Sequence, residues 1–127
     1  MTNAFPEKPW FGYGLGMYVP TNLVVHGYLE GALEAHNDYL LLLIETGLIG
    51  LAAYIFLIAS TLIQIIRTAW HRTGNDKKTA WIVAALLMGI FAMSFGDNIL
   101  RVTALQWALW SLVAAVLATN NKVKSEK

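Results

Sequence analysis

Three long apolar runs constrain the fold of this chain more than any other feature of its sequence. The first, residues 39–66, is interrupted only by Glu45 and a few small polar residues. As a helix rising about 1.5 Å per residue it would exceed a ~30 Å hydrocarbon core, so it would span with tilt or with an interfacial first turn. The runs at 80–96 and 102–119 each approach the roughly 17-residue lower limit for a spanning helix. The sequence therefore predicts an all-α integral membrane protein with three transmembrane helices, at about residues 38–66, 79–96 and 100–119.

The composition agrees with a membrane protein and excludes several other classes. Charged residues make up 13% of the chain and hydrophobic residues 57%, whereas soluble domains carry about 25% charged residues. The formal net charge of +1 gives no field that would attract nucleic acid. The chain has no cysteine, which rules out disulfides, thiolate nucleophiles and zinc ribbons.

A polar turn separates the second run from the third. Gly96, Asp97 and Asn98 are turn-forming residues, and one helix through both runs would be far too long. Asp97 and Arg101 would also be unfavourable near the centre of a bilayer. The pattern predicts a tight hairpin at one membrane surface.

The basic residues predict the orientation of the three helices. The link between the first two runs and the chain's tail are rich in cations: Arg67, Arg72, Lys77, Lys78, Lys122, Lys124 and Lys127. Both should face the cytoplasm, because cytoplasmic segments carry an excess of Lys and Arg. Residues 1–37 and the turn at Asp97 are then predicted on the outer side, residues 38–119 in the membrane and residues 120–127 in a cytoplasmic tail.

The outer segment is predicted to be an irregular loop on the membrane face, with a possible short helix within 22–35. Its prolines and glycines are too dense for a long regular element. Gly12, Gly14 and Gly16 superficially suggest a nucleotide-binding loop, but no strand precedes them, and a compact turn is the simpler interpretation. The loop's apolar side chains are predicted to anchor it at the interface: Trp10, Phe11, Tyr13, Met17 and Tyr18.

A polar cluster lies directly ahead of the first run and is the best site candidate. His36, Asn37 and Asp38 stand at the predicted membrane boundary. Asn37 can orient the imidazole or cap the following helix, and the cap is favoured. Nine residues separate Asn37 from Gly47, and Gly50 follows three positions later. Such closely spaced glycines most often indicate close helix packing.

Glu45 is a second polar candidate, because it lies inside the first apolar run on roughly the same helix face as Asp38. An intramembrane carboxylate must find a partner or stay protonated. Two roles remain open for it: a hydrogen bond to a neighbouring helix, or a position lining an aqueous cavity that leads to the site.

Three motifs in order carry a resemblance to a known family. They are Lys8-Pro-Trp-Phe-Gly-Tyr-Gly-Leu-Gly16, Ala35-His-Asn-Asp-Tyr-Leu40 and Glu45-Thr-Gly-Leu-Ile-Gly-Leu51. Together they resemble the C-terminal part of the O-antigen ligase and Wzy-type O-antigen polymerase superfamily. The segment Phe95-Gly-Asp-Asn-Ile-Leu-Arg101 is similar, less specifically, to the family's last helical hairpin.

The resemblance implies a multispanning glycosyltransferase of the bacterial inner membrane, with the loop in the periplasm and the C-terminus in the cytoplasm. Such enzymes move a glycan from an undecaprenyl-diphosphate carrier onto a lipid A core sugar or a growing glycan, without a metal or cofactor. His36 matches the family's functional histidine. A neutral imidazole there would take the proton from the attacking acceptor hydroxyl.

The chain also departs from the family in its cations. A diphosphate carrier is best matched by arginine forks, yet no arginine precedes Arg67 and Lys8 is the one lysine of the outer loop. The chain is therefore expected to be a C-terminal part that needs upstream transmembrane helices, of the same or a neighbouring polypeptide, for activity. The alternative is a noncatalytic membrane helix-packing module or truncated remnant, so whether the chain is an enzyme stays open at this point.

Overall fold

The computed structural model describes residues 7–21 and 36–125, and the side chains of 7–21 and 36–118. The described residues are all-helical and contain no strand. The main elements are α1 (Asp38–Trp70), α2 (Gly74–Met93), a 3-10 helix (Ile99–Arg101) and α3 (Thr103–Ser125). The predicted all-α fold is thus confirmed for these residues. The possible short helix within 22–35 lies outside the described residues.

The helix boundaries differ from the predicted ones at the links. Only residues 71–73 separate α1 from α2, so most of the predicted basic link is helical. At its other end α2 stops at Met93, short of the predicted residue 96. Directly after it, the carbonyls of Ser94 and Phe95 accept hydrogen bonds from the backbone N–H of Asp38 and from Nδ2 of Asn37.

A break at Gly47 divides α1 and corrects the expectation of one continuous helix from 38 to 66. Gly47 has φ 69° and ψ −170°, a conformation that glycine adopts at little cost because it lacks a Cβ. The continuous segment after the break, residues 48–70, is about 34 Å long at 1.5 Å per residue. The residues that make the first apolar run longer than a hydrocarbon core is thick therefore lie before the break.

The described residues group into two compact units. The first, here called the loop–helix unit, comprises the described residues of Met1–Phe56 together with Ser94–Asn98. The second, the hairpin unit, comprises Leu57–Met93 and the described residues of Ile99–Lys127. The predicted boundaries at residues 37 and 119 separate segments by their expected side of the membrane, whereas the two units are separated by their internal contacts. The predicted division stays a prediction.

The hairpin unit buries one face of each of its helices. Its buried apolar side chains come from the end of α1, from α2, from the 3-10 helix and from α3: Ile58, Ile65, Ala69, Ala80, Val83, Ala84, Leu87, Ile99, Leu109, Val113 and Val116. The spacing of three and four residues in α2 and α3 is that of a single helix face. Near the link between α1 and α2, the rings of Trp70 and Trp81 pack edge to face with their centroids 6.1 Å apart.

Among the described helices, α1 alone is both long and apolar enough to cross a membrane, with a mean hydropathy of 2.3 in its most apolar window. Thr103–Ala118 in α3 is a shorter apolar helix. Asp76, Lys77 and Lys78 occupy the first turns of α2, and they shorten its apolar part. The three predicted spans stay a prediction.

Candidate functional site

Asn37 caps the N-terminus of α1. Its Oδ1 accepts hydrogen bonds from the backbone N–H groups of Tyr39 at 3.0 Å and Leu40 at 3.1 Å. These are donors that the first turn of a helix leaves without an intrahelical partner. Its Nδ2 donates to the carbonyl of Phe95 at 3.1 Å. The amide is therefore committed to the helix start and to the turn at 94–98.

The turn at 94–98 is fixed to the start of α1 by two further contacts. The backbone N–H of Asp38 donates to the carbonyl of Ser94 at 2.9 Å. The rings of Tyr39 and Phe95 lie with centroids 4.2 Å apart, tilted by 40°. Asp38, whose backbone makes the first of these contacts, is fully buried. Two polar segments distant in the chain thus form one site.

This arrangement brings His36 next to Asp97. Nδ1 of His36 lies 4.0 Å from Oδ1 of Asp97, and the two side chains are 80% and 70% exposed. An exposed pair at this distance adds little to folding stability. At 4.0 Å the two atoms are beyond hydrogen-bond distance, so the contact between them is electrostatic.

Asp97 was missed as a site residue by the sequence reasoning. The sequence predicts Asp97 in a turn and in a local ion pair with Arg101. Nothing in the local pattern connects it with His36. The usable signal was that both residues were predicted on the outer side of the membrane. The contact itself depends on the Asn37 and Asp38 hydrogen bonds to the turn, which local patterns do not reveal.

Glu45 makes a hydrogen bond to a helical turn of the outer segment, which is the first of the two roles left open for it, and the cavity role stays a prediction. Its side chain is buried, and Oε1 accepts a hydrogen bond from the backbone N–H of Tyr18 at 3.4 Å. Residues 18–21 are helical, so the carboxylate lies at the positive end of that helical turn. Burial raises the pKa of Tyr18 above its usual value.

The loop docks on the break in α1 through the main chain. A break in a helix leaves carbonyls before it and N–H groups after it without helical partners, and four hydrogen bonds to loop residues satisfy them. The donor and acceptor pairs are Tyr13 to Ile44 at 2.9 Å, Gly14 to Glu45 at 2.9 Å, Leu48 to Pro9 at 2.9 Å and Ile49 to Trp10 at 3.2 Å. The loop therefore satisfies the backbone groups that the helix break exposes, and the break provides hydrogen-bond partners for the loop.

Two glycines make this close approach possible. A Cβ on Gly47 would overlap the carbonyl of Trp10, and a Cβ on Gly12 would lie 2.6 Å from the carbonyl of Glu45. Both residues also have positive φ. The predicted close packing at Gly47 is thus made by the loop backbone, not by a second helix, and the nearest atoms at Gly50 belong to Thr46 of its own helix.

Gly14 and Gly16 also have positive φ, at 106° and 76°. The backbone of the loop therefore forms the compact turn that its glycines predict. A Cβ on Gly16 would meet no atom within 4 Å, so Gly16 serves the turn and not the contact with α1.

The loop turns part of its apolar surface outward. Of the predicted interfacial anchors, Trp10, Phe11 and Met17 are exposed. Tyr18 is instead buried, in a cluster with Leu41 and Ile44. Its assignment as an interfacial anchor was wrong, because the loop folds back onto α1 at this point.

Tyr13 is held at the edge of the loop. Its hydroxyl donates to Oε2 of Glu7 at 3.1 Å, and the ammonium of Lys8 lies 5.2 Å from its ring centroid. Desolvation, followed by this hydrogen bond, raises the pKa of Tyr13. The lysine of the outer loop is thus part of the loop's own structure.

Within residues 7–21 and 36–125, no group of three or more acidic or histidine side chains is arranged to hold a metal ion. In comparisons with known proteins, no family model, no curated protein and no solved structure matches this chain.

Proposed function

We propose that the chain is the C-terminal part of a bacterial inner-membrane glycosyltransferase of the O-antigen ligase or polymerase type. It would transfer a glycan from an undecaprenyl-diphosphate carrier to a lipid A core sugar or a growing glycan. The observation that carries this proposal is the exposed His36 imidazole beside the Asp97 carboxylate, on a helix start that Asn37 ties to the turn at 94–98.

The exposed apolar surface supports a location in the bilayer. Only 28% of the most apolar window of α1 is buried within the chain, whereas the core helix of a soluble protein would be mostly covered. Large side chains such as Phe56, Trp107 and Ile82 are exposed. Lipid tails or further transmembrane helices would cover them.

The docked loop supports the same location. Irregular backbone at membrane depth is tolerated only where protein satisfies its polar groups. The four hydrogen bonds between the loop and the break at Gly47 meet this requirement. In the proposed topology the loop faces the periplasm, α1 to α3 span the inner membrane, and the tail is cytoplasmic.

The proposed chemistry begins with a proton transfer. As the acceptor hydroxyl attacks the anomeric carbon of the donor glycan, Nε2 of His36 takes its proton. The bond between the anomeric carbon and the carrier diphosphate breaks with inversion, and the diphosphate leaves with the bonding electron pair. Asp97 orients the ring and stabilises the imidazolium that forms.

The diphosphate needs cationic partners that the described part of the loop does not supply. Lys8 lies over the Tyr13 ring, and a diphosphate calls for arginine forks. Upstream transmembrane helices would bring these groups, so the isolated chain is expected to be inactive.

The test is His36→Ala in a membrane preparation that contains the chain with its upstream helices. Glycan transfer should fall by about 10²-fold to 10⁴-fold, the usual contribution of a general base, while insertion and abundance stay normal. The matched control is His71→Ala, because His71 is also exposed but lies at the basic link. Unchanged transfer in His36→Ala would remove the catalytic role and favour a noncatalytic module.

A further inference from the structure

The outer loop carries large apolar side chains that the described residues of the loop–helix unit leave exposed. They are here called the loop patch: Trp10, Phe11, Leu15 and Met17. Phe11 and Leu15 are 77% and 80% exposed, so they contact little of the described chain. Leu15 is the most exposed of the four, and the sequence reasoning did not count it among the interfacial anchors. A cluster of exposed apolar side chains marks a surface that binds something apolar.

The backbone that carries the loop patch is held in place by α1. The carbonyls of Pro9 and Trp10 accept hydrogen bonds from the helix, and the N–H groups of Tyr13 and Gly14 donate to it. These contacts occupy the backbone of the loop and leave the side chains of the patch facing outward. The patch is therefore presented in a fixed conformation, and a partner would contact its side chains.

The partner of the loop patch must itself be apolar. Residues 9–17 contain no charged side chain. The charged residues just before them, Glu7 and Lys8, both contact Tyr13, whose backbone is docked on α1. An ionic headgroup or an acidic or basic protein segment would find no opposite charge on the patch.

The form of the loop patch favours hydrocarbon chains over a packed helix. Interfaces between transmembrane helices are enriched in small residues, which let two backbones approach closely. The patch has large side chains on a turn formed by glycines of positive φ, among them Gly14 and Gly16. A Cβ on Gly16 would meet no atom within 4 Å, so the turn beside Leu15 projects from the unit. Fluid acyl chains can surround such a projection, whereas a straight helix cannot.

The loop patch also continues an apolar surface of α1. Leu48 and Ile49, whose N–H groups bond to Pro9 and Trp10, have exposed apolar side chains. The loop and the helix thus present apolar surface side by side. The proposed membrane location assigns the exposed surface of α1 to lipid, and the same lipid reaches the neighbouring patch.

We propose that the loop patch inserts into the acyl chains of the adjacent bilayer leaflet and anchors the loop there. Trp10 lies at the headgroup boundary, where indole rings are enriched, and Phe11 and Leu15 enter the hydrocarbon. Elements with Trp, Phe and Leu on one face insert about 5–10 Å into this boundary. Insertion favours the docked loop, because lipid then binds that conformation. The proposal rests on the membrane location proposed above, but not on glycan transfer.

The experiment uses the absence of cysteine from the full 127-residue chain, so that one introduced cysteine carries one nitroxide label. Leu15→Cys is compared in phosphatidylcholine bilayers with two reference sites that are also exposed: Phe56→Cys on α1 and Asn75→Cys near the link. Electron paramagnetic resonance measures collisions of the label with oxygen and with a polar nickel chelate. The oxygen-to-nickel ratio at residue 15 should resemble that at residue 56 and exceed that at residue 75 by about tenfold, because hydrocarbon excludes the polar reagent.

A charge placed in the loop patch tests whether the patch inserts as a unit. Phe11→Asp, added to Leu15→Cys, should lower the ratio at residue 15 by about tenfold, because a carboxylate is strongly disfavoured in hydrocarbon. The matched control Thr73→Asp adds the same charge at an exposed position of the link and should leave the ratio unchanged. Both variants should keep the helical circular dichroism of the native chain, since Phe11 and Thr73 are exposed.

Three outcomes would overturn the anchor while the label at residue 56 still reports lipid. A ratio at residue 15 like that at residue 75 would place the patch in water. Few collisions with either reagent would show that protein covers it, from a second copy or from another part of the chain. A ratio unchanged by Phe11→Asp would mean that the patch does not insert as a unit.

A water-like ratio at residue 56 would overturn the membrane location itself, and the anchor with it. His36→Ala should leave the ratios at residues 15, 56 and 75 unchanged. Failure of the proposed glycan transfer and failure of the anchor are therefore separate results.

Discussion

Different contacts stabilise the inside of each of the two compact units of this chain. In the loop–helix unit, segments far apart in sequence meet through main-chain hydrogen bonds, four of them at the break around Gly47. In the hairpin unit, apolar side chains on regularly spaced helix faces pack together. The first unit should therefore tolerate many side-chain changes but no added Cβ at its contacts, and the second unit should show the opposite pattern.

The energetic scales of the two units differ as well. Each intramolecular hydrogen bond contributes about 1 kcal/mol net to stability in water. Leaving a backbone polar group without a hydrogen bond in hydrocarbon costs several times more. In the proposed membrane location, packing between apolar helices has no hydrophobic driving force, because lipid tails are as apolar as the side chains. We therefore expect the larger single-residue effects in the loop–helix unit.

The largest effect is expected for Gly47→Ala. The new Cβ would overlap the carbonyl of Trp10, and φ is 69°. An alanine at positive φ costs about 1–2 kcal/mol, and displacement of the loop would add the loss of main-chain hydrogen bonds at about 1 kcal/mol each. The expected total is about 4 kcal/mol, measured as reversible unfolding in micelles by circular dichroism.

Gly74→Ala is the control for this substitution. Gly74 has nearly the same φ, 63°, but a Cβ there would meet no atom within 4 Å. It should cost only about 1 kcal/mol. Hydrogen exchange should accelerate at Tyr13 and Gly14 in Gly47→Ala and stay slow in Gly74→Ala. Equal behaviour of the two variants would mean that the loop does not depend on the close approach at Gly47.

The role of Gly47 also shows where sequence reasoning stopped. A glycine within an apolar helix has two readings, a packing contact with another helix or a break, and the local pattern of Gly47 and Gly50 is the same for both. The deciding feature is the contact of the helix with Pro9 and Trp10, which lie far away in the sequence. No periodicity or spacing encodes that contact.

Other parts of the fold follow from local chemistry, and they were predictable. The three helices follow from apolar runs bounded by charges and turn residues, and the turn at 94–98 follows from Gly96, Asp97 and Asn98. Asn37 caps α1 because a short amide before an apolar run is a strong N-cap signal. The pairing of His36 with Asp97 joins two such local features, and only the tertiary structure brings them together.

An intermediate effect is expected for Leu87→Ala in the hairpin unit. Leu87 is 1% exposed, whereas its neighbour Leu86 is 46% exposed. Truncation of a buried leucine leaves a cavity, and in the proposed membrane location we expect a cost of about 2 kcal/mol, the low end of the range for cores.

Leu86→Ala removes the same atoms from the same helix and should cost less than about 0.5 kcal/mol. The difference between the two leucines measures side-chain packing alone, with the backbone unchanged. If both variants unfold at the same point, α2 does not pack against the hairpin core through the face that holds Leu87.

The smallest effect is expected at Asn37, where a side chain takes part in a main-chain contact of the loop–helix unit. Asn37→Ala removes the cap of α1 and the hydrogen bond to Phe95, and should cost about 1 kcal/mol. Asn37→Ser keeps a capping oxygen but is too short to reach Phe95, so it separates the two roles.

We expect Asn37→Ser to recover most of the stability of the native chain, because Ser is nearly as good an N-cap as Asn. Amide exchange at residues 94–98 should nevertheless be faster in both variants, since neither retains the bond from Nδ2 to the carbonyl of Phe95. The Asp97 carboxylate would then be less firmly held beside His36, and the proposed glycan transfer should fall in both variants although only one is destabilised. Loss of transfer that follows stability alone would mean that the turn needs no tie to the helix start for His36 to act.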